Sequence, residues 1–137
     1  MSWALGETER LLKSQGIRTT RPRVKIASIL LAPGQHLLAF ELLKLVNQGE
    51  ETISRATIYN TVNLFTRKGL VREVVVDPEN VYYDSNTRHH HHFYDVMNGT
   101  LVDIPEEQII ISQLPELPDG MIIQDVDVII RLRKRLA

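Results

Sequence analysis

TISRATIYNTVNLFTRKGLV, residues 52–71, decides how the first half of the chain is read. Ser54 is a residue type that caps helices, because its hydroxyl can accept a backbone N–H from the first turn. Gly69 is the residue type that stops them, at the left-handed position past the last turn. Between the two, Ile58, Val62 and Phe65 recur at helical spacing and belong to a core. Arg55, Tyr59 and Asn63 fall at i, i+4 and i+8 on another face, flanked by Thr57 and Asn60. Polar side chains near a helix N-terminus are what a recognition helix needs. Arginine can read guanine, asparagine can read adenine, and a tyrosine ring can pack on a thymine methyl. A merely solvated helix face has the same spacing, so the neighbouring segments must decide.

Upstream, short helices are expected. Glu7 to Gln15 forms the first, closed by Gly16. Thr20 caps a second, with Pro22 in its first turn, Val24, Ala27 and Leu31 as its inner stripe, and Pro33 ending it. Leu38 to Val46 reads as a third. Downstream of Gly69 the period changes to two: Leu70 to Val76 is a strand, Asp77-Pro78-Glu79-Asn80 a type I turn, and Val81 to Asp84 the returning strand. Helices followed by a hairpin follow the winged helix-turn-helix plan. Arg18, Arg21 and Arg23, on the approach to the second helix, are placed to hold phosphates or enter a minor groove.

The second half differs in kind. His92 to Met97 and Thr100 to Ile104 flank Asn98-Gly99, a strong two-residue hairpin signal. Pro105 to Ser112 reads as a short helix, and LPELPDG as a loop. Met121 to Leu132 alternates, with Ile122, Val126, Val128, Ile130 and Leu132 on one face. That is a long strand whose apolar face calls for a second copy to cover it. The polar run DSNTR marks a hinge. The fold class expected is α+β: a winged-helix DNA-binding domain over 1–84 and a small α/β dimerisation and sensing domain over 85–137.

RHHHHFY, residues 88–94, places four consecutive imidazoles at the start of that second half. In an extended segment side chains alternate, so His90 and His92 point one way and His89 and His91 the other. One run can therefore feed two sites. If the hinge folds back, His36 from the front, Asp84 from the hinge and His91 can share one ion and lock the angle between the domains.

Composition narrows the chemistry. There is no cysteine, hence no disulfide, no cysteine-ligated structural zinc and no thiolate haem ligand. A transition-metal site must use imidazole and carboxylate. The net charge of −1 hides an asymmetry: residues 1–76 hold eleven Lys/Arg and six Asp/Glu, residues 77–137 five and eleven. A basic front and an acidic back suit phosphate at one end and cations at the other. No apolar run approaches the ~20 residues of a membrane span, and MSWALGETER lacks the order of a signal peptide. A cytoplasmic protein with no membrane partner is expected. HExxH, GxSxG, GxGxxG and P-loop patterns are absent, so no enzyme is indicated.

GIRTTRPRVKIASIL, QHLLAFEL, ISRATIYNTVNLFTRKGLV and VYYDSNTRHHHHFY, in that order, resemble the ferric uptake regulator (Fur) superfamily from about Leu11 to Arg133. YNT in the recognition helix, HHHFY, VDIP, LPELPDGM and DVDVIIRLR are most similar to its iron response regulator (Irr) branch. The resemblance implies a homodimeric, or higher, transcription regulator of iron uptake, iron storage and haem synthesis genes. It implies binding to palindromic double-stranded promoter DNA when iron is scarce, and inactivation by haem. A further implied partner is a haem-synthesis enzyme such as ferrochelatase. Carried over by residue, Tyr59 matches a base-contacting tyrosine and Arg18 a minor-groove base. His36, Asp84 and His91 match an inter-domain metal site, and His90, His91 and His92 a haem-associated cluster that can equally hold a second metal. Phe93 stands where Fur proteins place a further histidine ligand, and His89 is an extra histidine. Two alternatives remain open: a Fur-type repressor activated by a divalent ion (iron, manganese or zinc), and a metal- or haem-buffering protein.

Overall fold

The computed structural model describes residues 4–49 and 52–136, so Met1–Trp3 of the stretch inspected for a signal lie outside it. The chain divides into two units, residues 1–87 and 88–137. Four helices and a three-stranded sheet form the first: α1 (Leu5–Ser14), α2 (Arg21–Leu30), β1 (His36–Leu38), α3 (Ala39–Val46), α4 (Arg55–Arg67), β2 (Arg72–Asp77) and β3 (Asn80–Asp84). The second holds β4 (His90–Asp95), β5 (Thr100–Pro105) and β6 (Ile129–Leu132), with one 3-10 turn at Glu106–Gln108. The architecture is α+β, a winged-helix unit followed by a small sheet unit.

Local chemistry sets the helix limits. Thr20 Oγ1 accepts from Arg23 N at 3.3 Å and Ser54 Oγ from Thr57 N at 3.2 Å. Gly16 and Gly69 close α1 and α4 at φ +71° and +74°, where a side chain is strained. Leu12, Ile26, Leu30, Leu42, Val46, Ile58, Val62 and Phe65 make one core, all of them fully or almost fully buried. Phe65, Val62 and Ile58 therefore hold one side of α4 inward and leave the other to solvent.

Four elements depart from expectation. His36–Leu38 is a strand pairing with β3, His36 opposite Asp84, and α3 begins only at Ala39, where Glu41 Oε1 accepts the Leu38 N–H at 2.9 Å. The β4–β5 turn has four residues, Val96 to Gly99, instead of two, with Asp95 opposite Thr100. The Asp95 carboxylate captures Met97 N (2.9 Å), Asn98 N (3.2 Å) and Asn98 Nδ2 (2.8 Å), which removes Met97 from the strand. The other hairpin is closed in the same way: Asp77 takes Glu79 N and Asn80 N, each at 2.9 Å.

The third correction is the terminal strand. Pairing is confined to Ile129–Leu132, parallel to β4, with His92 opposite Ile129. By that register residues before 127 run past His90, the first residue of β4, and have no edge to join. The alternation of 121–127 thus has no strand ladder to join within one chain, the Val128 carbonyl being the first to accept from β4 (His92 N, 3.1 Å), and Ile122 is 90% exposed. The helix expected over Pro105–Ser112 shrinks to the turn at Glu106–Gln108. Pro105 is still paired in β5, and Ile109 is already extended again. The division between units falls after Thr87, three residues beyond Asp84, because Ser85 is bonded into the first unit. Its Oγ donates to Ala32 O at 2.9 Å and its N–H to Gln35 O at 3.3 Å.

The core role of α4 is open to measurement by urea denaturation. Phe65→Ala is expected to lower stability by about 3–5 kcal/mol, and Ser54→Ala, which removes only the cap, by about 1 kcal/mol.

Candidate functional site

The outer side of α4 carries Arg55, Tyr59, Asn60 and Asn63 in the open, with Thr57 half-buried. No acidic residue lies in its first turn. Thr57 and Asn60 share a shallow cleft with Thr20, Pro22, Arg23 and Thr61. Arg23 is anchored there, its Nη1 donating to Arg18 O at 3.0 Å. Arg18 and Arg21 are exposed, and Arg21 borders a separate hollow with Glu9, Thr19 and Lys25. Tyr59 stands on the wing side, close enough to the Tyr83 phenol to act on it. The Tyr83 hydroxyl is pushed up by burial first, then by Glu73 and Tyr59. The structure thus gathers Arg23, Thr57 and Asn60 at one cleft and sets Arg55 and Tyr59 beside it on the same helix.

In the first unit the β1–β3 register brings His36 Nε2 within 3.2 Å of Asp84 Oδ2. Asp84 is fully buried, and its Oδ1 also accepts Asn86 N at 2.9 Å.

In the second unit β4 divides its histidines. His90 and His92 have ring centroids 4.5 Å apart, and both Nε2 atoms face Asp103 Oδ1, at 3.3 and 3.4 Å. Asp103 is there because β5 pairs it directly with His92. On the opposite side, His89 and His91 have centroids 5.0 Å apart. His91 Nδ1 accepts the Val128 N–H at 3.1 Å. His89 Nε2 donates to Val126 O at 2.9 Å and lies 3.3 Å from Asp125 Oδ1, while its Nδ1 is 3.1 Å from Glu106 Oε1. Of the trio His90, His91 and His92, two come together and His91 does not; His36 and Asp84 meet through their own strands.

Ligand atoms of His90, His92 and Asp103 lie within 4.8 Å of one another, and so do those of His89, Asp125 and Asp127. Both sets mix imidazole with carboxylate, the donor chemistry of iron, manganese and zinc. His89 Nδ1 is buried without an aligned hydrogen bond, an atom that an ion would satisfy. Asp103, Asp125, Asp127 and Glu106 were not singled out from sequence. Only the β5 and β6 registers bring them to the histidines.

Residues 14–131 match the ferric uptake regulator family. The chain belongs to that family. The ferric uptake regulation protein of Vibrio anguillarum is 33% identical over 108 residues, 77% of this chain and 72% of that protein. The peroxide-responsive repressor PerR of Staphylococcus aureus is 31% identical over 105 residues, 77% of this chain and 71% of that one. The Pseudomonas aeruginosa ferric uptake regulator, solved with manganese, superposes with a TM-score of 0.69 at 23% identity, covering 94% of this chain and 98% of that chain. Members of the Fur family are transcription regulators, and this chain is one of them.

His89 and His91 titrate in opposite senses. His89 is raised above the ordinary imidazole value, first by its bond to the Val126 carbonyl, with Glu106 and Asp125 adding to it against a smaller effect of burial. Its protonated form supports the fold below about pH 6.5, and that support is lost as pH rises through the raised value. His91 is lowered, first by burial and then by the neighbouring His89 charge. Its contribution is complete above about pH 6.5 and lost as pH falls through the lowered value. In an NMR titration of metal-free protein the His89 ring proton is expected to move at higher pH than that of His91. Asp125→Asn should bring the His89 midpoint down.

Proposed function

We propose that this Fur-family regulator is a cytoplasmic homodimer that binds palindromic promoter DNA through α4 and senses a divalent ion, iron, manganese or zinc, through its histidines. The observation that carries the reading is the pairing of two nearly buried imidazoles, His90 and His92, with the Asp103 carboxylate on the neighbouring strand. Three convergent donors of mixed type suit a first-row cation better than they suit a purely structural contact. Manganese in the Pseudomonas aeruginosa relative supports the ion class. An ion would supply the charge that the donors lack when the imidazoles are neutral.

On the DNA side, Tyr59, Arg55, Thr57 and Asn60 form the base-facing group and Arg18, Arg21 and Arg23 the phosphate-facing group. Two such helices in a dimer about one DNA turn apart, roughly 34 Å, read two half-sites. The exposed Met121, Ile122, Ile123, Ile130 and Leu132 supply apolar surface for the second copy. The ion and DNA act on each other's affinity by the same factor, whatever its size.

A second reading keeps haem as the effector and the Irr branch as the closer kin, with iron storage and haem synthesis genes as targets. YNT, VDIP, LPELPDGM and DVDVIIRLR favour it. His90 and His92, at 4% and 3% exposure, would have to open to reach haem iron, so the ion is the reading the geometry supports best.

Fluorescence anisotropy on promoter fragments, with Mn(II) or haem added to matched samples, separates the two. The ion reading expects affinity to rise with Mn(II) and that response to vanish in Asp103→Ala. Release of DNA by haem, with no response to Mn(II), would replace it with the Irr-type reading. Tyr59→Ala should lower promoter affinity in either case, and binding should weaken steeply as salt is raised. Unchanged affinity would remove α4 from the interface.

A further inference from the structure

Asparagine is a poor residue for the inside of a helix, because its amide competes for backbone hydrogen bonds. It is kept where the amide is used. Three asparagines of this chain are visibly used. Asn47 grips the backbone of Ile53 from both ends of its amide, Oδ1 accepting N–H at 2.7 Å and Nδ2 donating to the carbonyl at 3.1 Å. Asn80 and Asn98 close their hairpins on Asp77 and Asp95. Two others, Asn60 and Asn63, sit in the middle of α4, away from either cap. Both are exposed, and neither makes a side-chain hydrogen bond among the described residues.

Their placement specifies what would use them. Three residues apart, they lie on one helix face in successive turns, about 4.5 Å apart along the axis. That advance is close to the roughly 3.4 Å step of B-DNA. Neither amide carries charge, and phosphate-type partners are better served by Arg18, Arg21 and Arg23. What an amide offers is one acceptor and one donor side by side, the same fork that Asn47 closes on a peptide. Adenine presents the matching pair in the major groove: its N6 amino group donates and its N7 accepts.

We propose that Asn60 and Asn63 are an adenine-reading pair, so that each half-site of the DNA bound by this protein contains two adenines on neighbouring base pairs. This rests on the reading of α4 as the recognition helix and adds to it the base identity and the second residue. Arg55 and Tyr59 on the flanking face serve the rest of the half-site.

The test is a selection from a duplex pool with a randomised core, using the full chain and run with Mn(II) and with chelator. The wild type is expected to enrich a site with two neighbouring adenines. Asn60→Ala should relax the preference at one of them and Asn63→Ala at the other, each weakening the parent site about 5- to 150-fold. Replacing either adenine by 7-deazaadenine, which lacks the N7 acceptor, should weaken the wild type and leave the matching alanine variant indifferent. Both positions are exposed, so circular dichroism should show folded variants. If both variants enrich the parent site with undiminished affinity, or 7-deazaadenine is silent, the two amides are a solvated face and the proposal fails. If the wild type enriches no site under either condition, the DNA-reading role of α4 fails with it. A defined site still lost on Tyr59→Ala, with both asparagine variants silent, overturns the pair alone.

Discussion

Strand β4 is held along its whole length by β5 antiparallel, and over His92–Asp95 also by β6 parallel. A strand so paired cannot rotate its side chains out of alternation, because a ladder would have to break. His90, His91 and His92 at its start are therefore held in alternation by the β5 ladder, and His89, just before the strand, falls on the side of His91, so the four are divided two and two. His90 and His92 take the carboxylate that β5 supplies, and His89 and His91 face the segment leading into β6. The histidines also help hold that segment. The Val126 carbonyl and the Val128 N–H, just upstream of β6, are bonded by His89 and His91. Ligand chemistry and strand attachment thus share the same imidazoles. An ion taken up through His89 Nε2 would compete with the Val126 carbonyl for that nitrogen, whereas one on Nδ1 would leave the strand contact in place.

Buried imidazoles beside carboxylates are electrostatically unsettled. Burial favours the neutral ring and the carboxylate favours the charged one, and which effect wins differs between His89 and His91. His91, almost fully buried, is pulled toward neutrality. His89, a third exposed and close to Glu106 and Asp125, is pulled toward the charged form. Near neutral pH, ligation by His89 would therefore require giving up a more tightly held proton than ligation by His91.

The first unit was largely legible in the sequence, because each element there carries its own punctuation. Thr20 and Ser54 cap helices, Gly16 and Gly69 stop them, and Ile58, Val62 and Phe65 recur at a helical period that the core then uses. The alternation of the histidines was legible for the same reason, since period two follows from strand geometry alone. What was not legible depended on partners distant in sequence. A two-residue Asn98-Gly99 turn would have set His92 opposite Pro105. The Asp95 carboxylate lengthens the loop, shifts the register by two and sets His92 opposite Asp103. Asp125 and Asp127 reach His89 only through β6, whose pairing with β4 leaves no local mark. The strand His36–Leu38 was missed, with Leu38 read as the start of the third helix, because three residues are too few to show a strand period and only β3 beside them makes them one.

Charge ties the two units to the sign of a response without any contact being invoked. Residues 88–137 hold five Lys/Arg and eight Asp/Glu, a formal −3 with neutral histidines, whereas residues 1–87 hold eleven and nine. DNA attracts the first set and repels the second, over a distance limited by screening to about 8 Å at physiological salt. A divalent cation held by neutral imidazoles and existing carboxylates removes two of those three negative charges and so lowers the repulsion. Haem carries two propionates, which outweigh the charge left on its iron, and would add to the repulsion. On the proposed reading, the same histidines would therefore push DNA affinity in opposite directions according to what they held. The sign is a property of the ligand's charge as much as of any rearrangement it drives.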